Sequence, residues 1–226
     1  MVHFDVKTAF LYGSISEEIY MVQPEGYEQG KNKCCRLVRS LYGLKQAPRA
    51  WHECFTNFLK QFSLVTLKKD PCVFQRVDDS NDTLIIGIYV DDGLVICSNK
   101  KLLEEVLNYL RRKFEITVMD AECFVGLQIK RNGQKRTLSI AQSGYIQRVL
   151  ERFEFTEAEG YTTPAEVHLK LSKDGALDGQ KHETMESIPY REAIGSLMYA
   201  QIGTRPDIGT ILLGSQKSPS WLIGKL

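Results

Sequence analysis

The chain is predicted to be an α+β protein, a mixed or antiparallel sheet with helices packed on one face. Three observations lead there. Runs rich in β-branched and aromatic residues, read as strands, occur at 2–11, 83–90, 94–97, 123–130 and 137–140. Apolar stripes at helical spacing occur at Trp51, Phe55, Phe58, Leu59 and Phe62, at Leu103, Val106, Leu107, Leu110 and Phe114, and at Tyr145, Ile146, Val149, Leu150 and Phe153. The two kinds of element do not alternate as regular βαβ units, which disfavours a parallel doubly wound sheet.

Taken in order, residues 2–11 read as a strand that ends in a turn around Gly13. Asp5 would then lie on a strand within the core, where a carboxylate needs a partner. Pro48 suits the first turn of the first helix. Residues 83–90 and 94–97 form a hairpin around Asp91, Asp92 and Gly93, and Asp-Gly alone is already a strong hairpin signal. Asn132-Gly133 joins the next two strands with an equally strong signal. Residues 157–187 are polar, rich in Gly and acids, and read as a linker, with a last helix at 190–201.

With 226 residues, 43% hydrophobic and 25% charged, the chain is globular in composition and long enough for one domain or two small ones. It has no apolar run of about 18 residues and no signal-peptide pattern, so a membrane span and secretion are not expected. The six cysteines include no C-x-x-C pair. Cys34 and Cys35 are adjacent and His52-Glu53-Cys54 lacks a matching half, so reduced, mostly buried thiols are expected rather than zinc ligands, in a cytoplasmic or nuclear protein. The net charge of +1 hides a segregation: nine bases against one acid over 31–69, and nine acids against four bases over 154–192. The basic stretch suits a polyanion, or is a solvated surface of uneven charge.

A turn explains Asp92-Gly93 but not the second carboxylate, Asp91, directly after Tyr89-Val90. Adjacent like charges repel unless one takes up a proton or a cation lies between them. Mg²⁺ is a usual remedy, held by one or two carboxylates together with substrate phosphates.

Tyr89-Val90-Asp91-Asp92 between apolar strands resembles the polymerase motif of reverse transcriptases. Further segments narrow the resemblance to the copia type of LTR retrotransposon: Asp5-Val6-Lys7-Thr8-Ala9-Phe10-Leu11-Tyr12-Gly13, Glu18-Ile19-Tyr20-Met21-Val22-Gln23-Pro24-Glu25-Gly26-Tyr27, Leu41-Tyr42-Gly43-Leu44-Lys45-Gln46-Ala47-Pro48-Arg49-Ala50-Trp51, Phe124-Val125-Gly126-Leu127-Gln128-Ile129, Gly195-Ser196-Leu197-Met198-Tyr199 and Thr204-Arg205-Pro206-Asp207-Ile208. They follow the family's order from Phe4 to Ile208.

The resemblance implies a polymerase palm with part of a thumb: 1–120 palm with the catalytic carboxylates, 121–156 a primer-grip-like hairpin and the start of the thumb, 157–187 a linker, 188–208 a thumb or connection helix, 209–226 a divergent tail. It implies Asp5, Asp91 and Asp92 as catalytic residues and as ligands of two Mg²⁺ or Mn²⁺ ions, with Asp92 in a supporting place. Phe10, Tyr42, Gly43, Lys45, Gln46 and Tyr89 would meet the nucleotide. Phe10 is either an aromatic under the sugar, excluding a 2′-hydroxyl, or a core Phe; Gly43 allows close approach or makes an ordinary turn. Lys31, Lys33, Arg36, Arg39, Arg49, Lys130, Arg131, Lys135 and Arg136 would meet nucleic acid, although the last four also suit an exposed hairpin edge. Expected partners are an RNA or DNA template–primer, dNTPs and the remainder of a Pol polyprotein, in a virus-like particle or the nucleus.

Departures from the family pattern carry expectations too. The family places about 70 residues, including fingers strands that grip the triphosphate, before its first catalytic aspartate, as judged by the resemblance; here there are four. Very weak or absent primer extension is therefore expected, with apolar surface left at Val2, Phe4, Val22 and 34–38. Met119-Asp120-Ala121-Glu122 replaces the usual Asp-Leu-Gly turn. The alternatives are an inactive transposon remnant that at most binds nucleic acid, and a phosphohydrolase with Asp5 as nucleophile. The latter would want a second Asp where Lys7 stands.

Overall fold

A computed structural model describes residues 1–76, 82–159 and 189–209. The chain divides into two compact units between Val125 and Gly126. The sequence expectations for 160–188 and for the tail from 210 onward lie outside the described residues.

The first unit contains strands β1 (Val2–Val6), β2 (Tyr20–Met21), β3 (Cys35–Arg36), β4 (Leu64–Thr66), β5 (Val73–Arg76), β6 (Leu84–Tyr89), β7 (Asp92–Cys97), β8 (Ile116–Asp120) and β9 (Cys123–Phe124), with helices α1 (Ala47–Lys60) and α2 (Lys100–Arg111). Six strands form one sheet in the order β4-β5-β6-β7-β1-β8, every neighbouring pair antiparallel. Strict alternation divides its two faces. Phe4 and Val6 of β1, Leu84, Ile86 and Ile88 of β6, Phe74 of β5 and Val95 of β7 are buried, and they join Trp51, Phe55, Phe58 and Leu59 of α1 and Leu102, Val106, Leu107 and Leu110 of α2 in one core. Between them on the sheet, His3, Asp5, Ile85, Asp92 and Leu94 are only half-buried.

Several boundaries differ from expectation. β1 stops at Val6 rather than reaching Leu11, because Thr8 takes a left-handed φ of 53° and the chain turns into a 3-10 segment, Ala9–Tyr12. Phe4, expected at an exposed edge, is fully buried because β1 lies between β7 and β8. Val22 and Val38 are exposed as expected, at 85% and 80%. Pro48 sits in the first turn of α1. Phe62 and Phe114 fall just past their helices, although Phe114 still fills the core. All six cysteines are free, but none is buried; Cys34 and Cys123 are exposed.

The second unit contains a hairpin of β10 (Leu127–Asn132) and β11 (Thr137–Ala141), then α3 (Ser143–Arg152) and α4 (Tyr190–Gly203). Asn132 pairs with Thr137, so the connection has four residues and not the two that Asn-Gly suggested. Asn132 Oδ1 accepts from the Lys135 N–H at 2.9 Å, an Asx arrangement that spends the asparagine on closing a longer loop. Between α3 and α4, Tyr145 meets Tyr199 edge-on at 4.7 Å and donates from its hydroxyl to the Ser196 carbonyl at 3.0 Å. Among the described residues no helix is long and apolar enough to cross a membrane.

Candidate active site

Tyr89 pairs with Asp92 across the β6–β7 hairpin, so the connecting residues are Val90 and Asp91. The turn therefore sits two residues earlier than Asp92-Gly93 suggested. Val90 has φ 59°, and a two-residue connection with positive φ at its first position is one that favours glycine. A β-branched residue there stores strain of about 1–3 kcal/mol unless its surroundings hold it. Two bonds do so: Trp51 Nε1–H donates to the Val90 carbonyl at 2.6 Å, and the Val6 N–H donates to the Asp91 carbonyl at 2.8 Å.

Gly93 lies within β7, opposite Phe4. A Cβ there would stand 2.6 Å from Phe4 Cε2 and closer still to Cζ and Cε1. Space in the core, not turn geometry, demands this glycine.

Asp5 lies opposite Asp92 in the β1–β7 ladder. Directly paired residues share a sheet face, so Tyr89, Asp92, Asp5 and Thr117 form one row across the face that α1 and α2 leave open. Asp91 adjoins this row from the turn. Burial, then the charges of Asp91 and Asp92, raise the Asp5 pKa above the ordinary carboxylate value, with His3 opposing. The register thus sets Asp5 opposite Asp92, next to the turn that carries Asp91.

Sequence reasoning missed His3. Its Nε2 lies 2.9 Å from Asp92 Oδ1, as a donor to the carboxylate, and its ring meets Phe124 edge-on at 6.0 Å. Period-two alternation could have found it, since His3 and Asp5 must share a face. Trp51 was legible only as an apolar residue; no pattern announces what its N–H will meet.

The donor set fits a hard divalent cation in kind: carboxylate oxygens, with the pKa of Asp5 raised first by burial and then by the charges of Asp91 and Asp92. As the side chains stand, no three His, Cys, Asp or Glu among the described residues are grouped to hold one ion.

Phe10 is buried, and its ring lies 4.5 Å from that of Tyr42 at 47°. Burial first, then Asp91, raises the Tyr42 phenol, against the backbone of Ala9. Tyr42 therefore feels the charges of Asp91 and Asp5, and it is half exposed to solvent. Gly43 has φ 94° with open space around its would-be Cβ, so conformation rather than crowding selects it. Lys45 is exposed, Gln46 occupies the N-cap position of α1, and Tyr89 is exposed on the open face.

A family model described as reverse transcriptase (RNA-dependent DNA polymerase) matches residues 1–167. The chain belongs to the reverse-transcriptase family. It is 43% identical over 208 residues to the retrovirus-related Pol polyprotein from transposon TNT 1-94 of Nicotiana tabacum, a match covering 90% of this chain and 16% of the relative. It is 35% and 31% identical to the Pol polyproteins from transposons RE1 and RE2 of Arabidopsis thaliana, each match covering 90% of this chain and 14% of the relative. These plant relatives are copia-type, and the chain spans under a fifth of their length. No solved structure matches it significantly.

The basic residues expected to meet nucleic acid fall in both units of this reverse-transcriptase chain. Lys31 and Lys33 are exposed between β2 and β3; Arg36 pairs with Tyr20 across those strands, and Arg39 bridges to Ser14. Arg49 is engaged by Glu53 one turn along α1, at 3.0 Å. In the second unit, Lys130 and Arg131 are consecutive on β10 and so point to opposite faces, while Lys135 and Arg136 lie in the connection. All four are exposed.

Proposed function

We propose that the chain is the palm, with part of the thumb, of a copia-type reverse transcriptase, and that it adds nucleotides from dNTPs to a primer 3′-hydroxyl on a nucleic-acid template. One observation carries this: Asp5 stands opposite Asp92 on adjacent strands, beside Asp91 in a strained turn, on the helix-free face. Asp5 and Asp91 would hold Mg²⁺ or Mn²⁺, two ions in this reading, with Asp92 in support. When bound, the ions would activate the 3′-hydroxyl and neutralise the triphosphate. The protein's own part is positioning, which dominates phosphoryl transfer. β1 and β7 fix the spacing of the carboxylates, and His3 holds Asp92 by a hydrogen bond. Phe10 and Tyr42 offer aromatic surface to the sugar and base, and Gly43 lets the nucleotide approach the backbone. Lys31, Lys33, Arg36 and Arg39 give phosphate contacts that salt should weaken steeply.

The test is extension of a labelled primer on poly(rA) by this chain and by an Asp91→Ala, Asp92→Ala double mutant shown by circular dichroism to be folded. At most weak, metal-dependent incorporation by the unmodified chain, lost in the mutant, is expected. Equal incorporation by both would overturn the assignment of the carboxylates. Duplex binding by both with incorporation by neither would favour the second reading, a transposon remnant that binds nucleic acid.

A further inference from the structure

We propose that Trp51 is a positioning residue of this polymerase, its indole N–H holding the Tyr89–Asp92 turn in the geometry that sets Asp91 beside Asp5. The inference rests on the reading above for its link to catalysis, but its geometry stands alone. Val90 takes a φ of 59° that a β-branched residue avoids, so the turn needs an outside constraint. That constraint is the 2.6 Å bond from Trp51 Nε1 to the carbonyl of this same residue. The indole has little freedom to follow a relaxing turn: Trp51 is 2% exposed, with Phe55 at 5.2 Å, Phe114 at 5.3 Å and Tyr12 at 6.1 Å from its ring. Phenylalanine at this position would keep a buried ring but leave a small cavity and remove the donor, so the rescue by Val90→Gly, which refills no space, is what separates the lost bond from lost packing. The next carbonyl, that of Asp91, is held from the opposite side by the Val6 N–H, one residue beyond Asp5. The turn is thus clamped between α1 and β1. Because α1 begins directly after Gly43, Lys45 and Gln46, the helix that follows the candidate nucleotide segment also fixes the catalytic turn.

The full chain is compared with Trp51→Phe, Val90→Gly and the double variant. Two readouts are used: amide hydrogen exchange at Val6 against the amides within β6 and β7, and Mn²⁺ affinity by electron paramagnetic resonance with the metal alone. Trp51→Phe should speed exchange at Val6 about tenfold, the scale of one lost hydrogen bond, leave the rest of the sheet unchanged and weaken Mn²⁺ binding by a similar factor. Val90→Gly should restore both in the Trp51→Phe background, since glycine adopts positive φ without help. Uniformly faster exchange across the sheet would mean lost packing and would overturn the proposal. So would unchanged exchange at Val6, or a defect that Val90→Gly leaves in place. If the exchange pattern appears but the unmodified chain binds no Mn²⁺, the clamp stands and the polymerase reading fails.

Discussion

Gly93→Ala is the smallest change that should break both fold and site. The new methyl group would stand 2.6 Å from Phe4 Cε2, with two further ring atoms closer, where carbon atoms rest near ~3.5 Å. The ring would have to retreat by about 1 Å or more, and Phe4 is fully buried. The alternative is for β1 and β7 to separate, which breaks the ladder between Asp5 and Asp92. Overpacking of this kind costs about 1–3 kcal/mol, and a ring facing backbone on a central strand belongs at the upper end. For a chain of this size, that lowers the thermal midpoint by about 6–12 °C. Thermal unfolding followed by circular dichroism reads this directly. Phe4→Leu in the same molecule frees space, so the double variant should be more stable than the sum of the single losses by about 1 kcal/mol or more. A Gly93→Ala protein within about 0.5 kcal/mol of the parent, or an additive pair, would refute the packing account and return Gly93 to the role of a turn residue.

Three other outcomes are expected. His3→Ala should slow single-nucleotide incorporation about tenfold by freeing the Asp92 carboxylate, and His3→Gln, whose amide can still donate, should recover most of it; equal losses in both would reject an orienting role. Since burial, Asp91 and Asp92 raise the Asp5 pKa, the folded chain holds that proton more tightly than the unfolded one. Stability then falls as pH rises from the unfolded value through the raised folded value, and stays lower above it. In the absence of divalent ions, Asp5→Asn should accordingly unfold at a higher temperature than the parent at pH 7, with the gap closing in acid; a less stable variant at pH 7 would contradict this. Asn99 caps α2 by accepting from the Lys101 and Leu102 N–H groups and donates from Nδ2 to Asp82 Oδ2 at 3.0 Å, so Asn99→Ala should cost about 1 kcal/mol, or 2–4 °C, and Asn99→Asp, which keeps the cap but sets a second carboxylate against Asp82, should lose stability at pH 7 and regain it in acid, both measured by thermal unfolding.

Some of this molecule was legible from residue pattern and some was not, for physical reasons. The α1 stripe and Pro48 located the first helix because burial of one face and a missing N–H are local requirements. Hydrophobic strand runs located β6 and β7 for the same reason. Strand ends and turns were read less well. Asp92-Gly93 and Asn132-Gly133 both suggested tight turns, yet Gly93 answers to Phe4, a partner 89 positions away in sequence, and Asn132 closes a four-residue loop. β1 was read too long because nothing in the apolar run marks Thr8 as left-handed. Around the carboxylates, the resemblance pointed to the acidic residues; of the groups that hold them, His3 could be placed on the face of Asp5 by alternation, but its Asp92 partner and the bond from Trp51 are recognisable only once the strands are in register.

That register also makes the two adjacent aspartates unequal. Sequence alternation would have put Asp91 and Asp92 on opposite faces of a strand, one of them toward the core. The turn removes the conflict: Asp91 occupies the connection and Asp92 opens β7, so both carboxylates stay out of the apolar layer. Asp92 then sits diagonal to His3, which is why the histidine can hold it, whereas Asp91 is placed through its backbone by Trp51 and Val6. One aspartate is oriented through its side chain and the other through its main chain. A side-chain substitution at Asp91 therefore removes a charge without disturbing the clamp, while one at Asp92 also releases His3.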